Sequence, residues 1–198
     1  MDESDLRLFQ VNGIRMRACC KGSGPLVLMC HGFPESWYSW RHQIEALAAS
    51  GFRVVAPDMR GYGGTDAPRD SDAYTMLHHV GDMVELVQAL GETQAVIVGH
   101  DWGAPVAWNA AMMRPDLFRA VVGLSVPFSS PTRTDLLSKL EEQGVHTFYM
   151  QYFQKPVSNP EQVFSTTRSN HRRCPTGWRP TTSRTSPASS NAPASVAD

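Results

Sequence analysis

The sequence predicts an α/β fold built on a mostly parallel sheet that is entered through an antiparallel hairpin. Three observations carry that expectation. Short apolar runs alternate with stretches of helical periodicity from residue 26 onward, which is the pattern of βα units. Before them, two strand-like runs flank Asn12-Gly13, a dipeptide suited to a two-residue hairpin turn. Finally, the apolar run 95–98 passes through Gly99-His100-Asp101-Trp102-Gly103 straight into a helix-like stretch, 104–113.

The elements follow in order. Residues 6–11 and 14–20 form the hairpin, and 26–30 is a short buried strand bounded by Gly24-Pro25 and Gly32. Trp40, Ile44 and Leu47 give helical spacing to 36–49, closed by Gly51. Residues 53–56 make another buried strand, followed by the glycine-rich loop Asp58-Met59-Arg60-Gly61-Tyr62-Gly63-Gly64. Thr75 is placed to cap a helix with Met76, Val80, Met83, Val87 and Leu90 on one face, stopped by Gly91. Pro115 ends the helix after Asp101, and 120–124 supplies a further strand.

Composition bounds the class. The chain has 198 residues, 41% hydrophobic and 19% charged, enough for one sizeable core. Its net charge of −1 gives the whole chain no electrostatic reason to bind nucleic acid or an acidic membrane. No run of about 18 apolar residues is present, so no membrane span is expected. The start, Met1-Asp2-Glu3-Ser4-Asp5, lacks the apolar core of a signal peptide. Cys19, Cys20, Cys30 and Cys174 have no metal-type spacing and read as reduced thiols, so a cytoplasmic location and no metal are expected.

The stretch around Asp101 carries the chemistry. A strand, a tight turn with glycine on both sides of one reactive side chain, then a helix is the pattern of a nucleophile elbow. Bulk at either glycine would collide with the turn. Aspartate at the centre, where a serine hydrolase carries serine, implies covalent catalysis through a carboxylate and an alkyl-ester intermediate. The positive end of the following helix favours its charge. The plain alternative for Asp101 is a helix N-cap. Ligands of parallel sheets bind at the C-terminal ends of the strands, and His31-Gly32 and Asp101 both fall on that rim.

Four motifs in order resemble the α/β-hydrolase-fold epoxide hydrolases. They are His31-Gly32-Phe33-Pro34-Glu35-Ser36-Trp37, Asp58-Met59-Arg60-Gly61-Tyr62-Gly63, Gly99-His100-Asp101-Trp102-Gly103-Ala104 and Tyr149-Met150-Gln151-Tyr152-Phe153-Gln154. The resemblance runs from about Leu6 to Pro156. It implies an α/β-hydrolase fold, with 1–130 the N-terminal part of the core and 131–164 the start of a lid. Haloalkane dehalogenases share Asp-Trp at the elbow but usually carry asparagine where this chain has Phe33. Fluoroacetate dehalogenases usually carry arginine in place of Trp102.

The resemblance implies roles residue by residue. Asp101 attacks an epoxide carbon of a small apolar substrate, without cofactor. The backbone N–H groups of Phe33 and Trp102 form an oxyanion hole. Both side chains also read as apolar pocket walls. Tyr149, in the lid motif, hydrogen-bonds the epoxide oxygen and acts as the acid; its plain reading is packing within an aromatic cluster. His31, Gly32 and Pro34 order the oxyanion loop, with Phe33–Pro34 cis. His100 is expected to point into the fold, Asp58 and Arg60 to pin their loop, and His78 and His79 to lie at the surface or core edge.

The family reaction also needs a histidine with a supporting acid to hydrolyse the ester. After Asp101 only His146 and His171 follow, neither at a strand end, and Glu161 and Asp198 serve no better as the acid. The C-terminal strands and most of the lid are therefore expected to be missing, and turnover to stop at the ester. Residues 165–198 contain no Leu, Ile, Met, Phe or Tyr and are rich in Ser, Thr, Pro and Arg. Such a segment cannot bury enough apolar surface to order itself, and it reads as out-of-frame translation of a GC-rich gene. Its five arginines, with Trp178 as the sole aromatic, are a weak case for nucleic-acid binding. The competing readings are a haloalkane dehalogenase-like hydrolase and a non-catalytic fragment that binds apolar ligands.

Overall fold

In a computed structural model, residues 5–128 and 142–143 are described. The chain divides into two units, Met1–Thr132 and Arg133–Asp198. The sheet and the helices that cover it belong to the first.

Six strands form one sheet in the order β1-β2-β4-β3-β5-β6. They are β1 (Leu6–Val11), β2 (Ile14–Lys21), β3 (Leu26–Cys30), β4 (Arg53–Pro57), β5 (Ala95–His100) and β6 (Phe118–Leu124). β1 and β2 pair antiparallel, as do β2 and β4, while β4, β3, β5 and β6 run parallel. This is the expected sheet, and its hairpin turn has Asn12 and Gly13 both at positive φ (45° and 76°).

The parallel strands are apolar on both faces, because helices cover both. Leu28, Val55 and Ile97 face one side. There they meet Val80, Met83, Leu86 and Val87 of α2 (Met76–Ala89) and Val106, Ala107 and Ala110 of α3 (Gly103–Met113). Val27, Met29, Val54, Ala56 and Val98 face the other side, with Ile44 of α1 (Arg41–Ala49) and Trp40. The period of two along each strand thus assigns alternate residues to separate cores. Thr75 caps α2 by accepting from the His78 N–H, as expected. The helix expected over 36–49 instead begins as a 3-10 turn, Trp37–Trp40, capped by Ser36, before α1. The Trp37 N–H is drawn to the Asp58 carboxylate at 3.0 Å, which ties this first turn to the loop after β4.

Asp82 interrupts the apolar face of α2, yet it is fully buried. Arg60, itself buried, donates to both its oxygens, with Nε at 2.9 Å from Oδ2. The Asn12 side chain donates to Oδ1 at 2.8 Å and to the His78 carbonyl at 3.1 Å. A buried carboxylate is tolerable only when paired in this way. The same contacts fasten the hairpin turn, the loop after β4 and α2 to one another. No helix among the described residues is long and apolar enough to cross a membrane, and none of their side chains cluster as a metal site. Cys19, Cys20 and Cys30 form no disulfide among the described residues; burial pushes Cys30 up to about 12 and, with Asp5, Cys19 to about 11.

Candidate active site

Asp101 begins the two-residue corner, Asp101-Trp102, between β5 and α3. Its φ of 49° is left-handed, an unusual conformation for a residue with a side chain. The crossing is tight on every side. A Cβ on Gly99 would strike the Gly103 carbonyl, and a Cβ on Gly103 would strike the Cys30 carbonyl. Glycine is thus dictated here by close approach of backbones. Pro105 stands in the first turn of α3, where a missing N–H costs the helix no bond.

The carboxylate of Asp101 does not cap α3, whose N-cap is Trp102 with no side-chain cap bond. Instead Oδ1 accepts from the Phe33 N–H at 2.9 Å. Among the described residues no donor reaches Oδ2. Gly32 lies against this carboxylate so closely that a Cβ there would sit 2.5 Å from Asp101 Cβ and 2.7 Å from Oδ1. Phe33 and Trp102 are both partly exposed, at 37% and 43%, and flank the carboxylate at the C-terminal ends of β3 and β5. The Phe33–Pro34 bond is cis.

Two side chains hold the Gly32-Phe33 loop. His31 is buried, its Nε2 accepting from the Met59 N–H at 2.9 Å and its Nδ1 2.8 Å from the Gly32 carbonyl. Nε2 must carry the lone pair, so Nδ1 carries the hydrogen and donates. Burial pushes its pKa below the ordinary value, keeping the ring neutral, and both nitrogens are spent on backbone. Glu35 Oε2 accepts from the Gly32 N–H at 3.1 Å and lies 3.5 Å from His100 Nδ1. His100 does not point into the fold as expected. Its side chain keeps 36% exposure, and it lines a cavity of about 230 Å³ with Glu35, Trp40 and Gln43. Alternation along β5 sets His100 on the same face as Val96 and Val98, the α1 side, where its ring stands edge-on to Trp40.

A cavity of about 580 Å³ opens beside Asp101, bounded by Gly32, Phe33 and Trp102 at one end. Tyr62 and His79 form part of its remaining wall. Tyr62 stacks edge-on against His31, with ring centroids 4.9 Å apart. Burial, then the charge of Asp101, pushes its phenol pKa up. His79 thus lines the cavity rather than lying at a bland core edge. Sequence reasoning missed Glu35, Tyr62 and His79 as site residues; only the alternation of polar residues within two recognised motifs hinted at the first two. The expected lid residue Tyr149 lies outside the described residues, as do His146 and His171.

A carboxylate at a strand's C-terminal end, with one backbone donor among the described residues and neighbours that line a cavity, stands where ligands of parallel sheets bind. The alpha/beta hydrolase fold family matches residues 25–194, and the chain belongs to that family. The match continues beyond residues 156–165, the interval where the sequence motifs stop.

Relatives narrow the comparison to epoxide hydrolases. The chain is 48% identical over 155 residues to an epoxide hydrolase of Caballeronia sordidicola, covering 78% of this chain and 46% of that protein. It is 43% identical over 188 residues to Epoxide hydrolase 3 of Siraitia grosvenorii, covering 88% and 58%. Among solved structures, an epoxide hydrolase from Vigna radiata superposes with a TM-score of 0.77 at 43% identity, over 84% of this chain and 55% of that one. The chain spans about half the length of the relatives it matches.

Proposed function

We propose that this chain carries the nucleophilic half of an epoxide hydrolase, with Asp101 as the nucleophile at an elbow. The observation that carries this reading is the placement of its carboxylate: Oδ1 accepts from the Phe33 N–H, no second donor reaches it among the described residues, and its neighbours Gly32, Phe33 and Trp102 line the cavity. Oδ2 attacks an epoxide carbon, the carbon–oxygen bond of the ring breaks, and the electron pair goes to the epoxide oxygen. Tyr149 supplies the proton to that oxygen. Oδ1 becomes the ester carbonyl oxygen, already seated against Phe33 N–H. The N–H of Trp102 adds the second donor when water attacks the ester and charge develops there. His31, Gly32 and Pro34 hold this loop in place. The substrate is an epoxide, the class in the relatives' names, and a small apolar one in keeping with the aromatic and aliphatic side chains that line the cavity. The domain reading is 1–130 as core, 131–164 as the start of the lid and 165–198 outside it.

Hydrolysis of the ester needs a base with a free lone pair near its carbonyl. His31 has none, since both nitrogens serve backbone. His78 pairs with Thr75, and His42 is exposed on α1. His100 borders a separate cavity with Glu35, and His79 Nδ1 is buried. With no such base among the described residues, we expect this chain to stop at the ester. Excess aryl epoxide added to the chain should be consumed to at most one equivalent, with diol appearing only after alkaline treatment. Continuous diol formation beyond one equivalent, lost in Asp101→Asn, would overturn the arrest and leave the nucleophile standing.

A further inference from the structure

His79 is the cavity-lining group that ring opening by Asp101 leaves without work. It sits on the second turn of α2, and its ring borders the same cavity as Phe33 and Trp102. Its Nδ1 is buried and has no hydrogen-bond partner. Buried polar atoms are nearly always paired, so an exception calls for an explanation. Among the described residues its other nitrogen, Nε2, also makes no hydrogen bond, and it is not buried.

The hydrogen on this ring can be assigned by elimination. Burial pushes the imidazole below its ordinary pKa and outweighs the opposing pull of Asp82, so the ring is neutral and bears one hydrogen. Orphaned buried N–H groups are rarer in folded proteins than under-used acceptors. The favoured tautomer therefore leaves the bare lone pair on buried Nδ1 and puts the hydrogen on Nε2. A group of that kind donates one hydrogen bond from Nε2 and keeps its lone pair on the buried nitrogen, away from solvent.

Apart from the Asp101 carboxylate beside it, the cavity offers a ligand no unpaired charge among its described lining. Arg60 borders it, but its guanidinium is already committed to the buried Asp82 carboxylate and to the Asn12 carbonyl. His31 is neutral with both nitrogens occupied. Anionic substrates would lose hydration here with no counter-charge in return.

We propose that His79 is a specificity-determining residue, donating from Nε2 to a neutral oxygen, an ether, ester or hydroxyl, carried by the epoxide beyond its ring. This rests on the reading of Asp101 as nucleophile only for the reactive assay, since binding tests it independently. The substrate class is thereby narrowed from apolar epoxides at large to epoxides with one neutral oxygen on an otherwise apolar tail.

The experiment uses two matched pairs. One is aryloxymethyl oxirane against the hydrocarbon analogue with CH2 in place of the ether oxygen, read as the rate of Asp101 alkylation. The other is the corresponding pair of cyclopropanes, which cannot be opened, read as dissociation constants by calorimetry. In the wild-type chain the ether member should bind about fivefold more tightly, the factor expected of one neutral hydrogen bond. His79→Leu should erase that ratio, while His79→Gln, which keeps a donor, should retain most of it. A structural role for His79 would lower both members equally and leave the ratio unchanged. Equal binding of the two cyclopropanes by the wild type, or an unchanged ratio in His79→Leu, would overturn the proposal. Failure of the epoxides to alkylate Asp101, with the cyclopropane ratio intact, would instead count against the nucleophile and support His79.

Discussion

Two aspartates stand at the C-terminal ends of parallel strands, and they are treated in opposite ways. Asp58 follows β4 and is completely buried. Its oxygens accept from Arg17 Nε at 2.8 Å, the Gly64 N–H at 2.9 Å and the Trp37 N–H at 3.0 Å, and an Arg17 terminal nitrogen lies at 2.6 Å. Its backbone is tied as well, to the Arg17 carbonyl and the Thr65 hydroxyl. Asp101 follows β5 and receives one backbone donor. A carboxylate saturated with donors has no lone pair to spend and serves as a fastening. A carboxylate given a single donor keeps an oxygen for chemistry. Residue type is the same in both loops; the donor count among the described residues differs, and on the proposed function that difference separates scaffold from reagent.

The contrast is broken most sharply by exchanging the fates of the two residues. Asp58→Ala strands Arg17 and two backbone N–H groups, and should lower unfolding free energy by about 3 kcal/mol, the lower end for breaking a buried pair because Arg17 is partly exposed. Asp101→Asn should leave the denaturation midpoint within error while abolishing reaction with epoxide. Equal destabilisation by the two substitutions, measured by urea unfolding, would remove the distinction.

Gly32→Ala is a finer probe, because its Cβ would press on Asp101 rather than on the core. Displacing a reacting group by about 1 Å can cost about 100-fold in rate. Alkylation should slow to that degree in stopped-time mass measurements, with little change in the circular dichroism spectrum. An unaltered rate would mean that the loop yields and that Asp101 is not held where its distances indicate.

The smallest effect concerns pH. Burial holds the folded-state pKa of His31 below its ordinary value of 6.5, so below that value the unfolded chain binds more protons. Its contribution to stability is therefore full above pH 6.5 and is lost as pH falls toward the folded pKa. His79 is shifted in the same direction and adds to the trend. Unfolding midpoints should fall on acidification through that range, and less steeply in His31→Gln. A steeper or equal slope in the variant would show that His31 is not held neutral by the fold.

Much of this arrangement was legible in the residues. The apolar runs at 26–30 and 95–98, the Asn12-Gly13 turn and the Thr75 cap all depend on local chemistry, which a linear reading captures. The corner at Asp101 was legible because its glycines are demanded by backbone collisions at one tight crossing. The burial of Asp82 was not, since it breaks an apolar stripe and its partners, Arg60 and Asn12, are far along the chain. His100 was misread for a related reason. A strand pattern gives the alternation of faces, but not that Glu35 and Trp40 border the ring there. His79 belonged to the cavity only once α2 had docked beside the loop after β4.

The most direct test is where an epoxide becomes attached. The chain treated with an aryl epoxide should gain one adduct by intact mass, and peptide mapping should place it on Asp101 and not on Asp58. The adduct should persist for hours at neutral pH and be absent from Asp101→Asn. An adduct on another residue, or none on Asp101 in a chain whose circular dichroism shows it folded, would contradict the claim that this open carboxylate is the nucleophile.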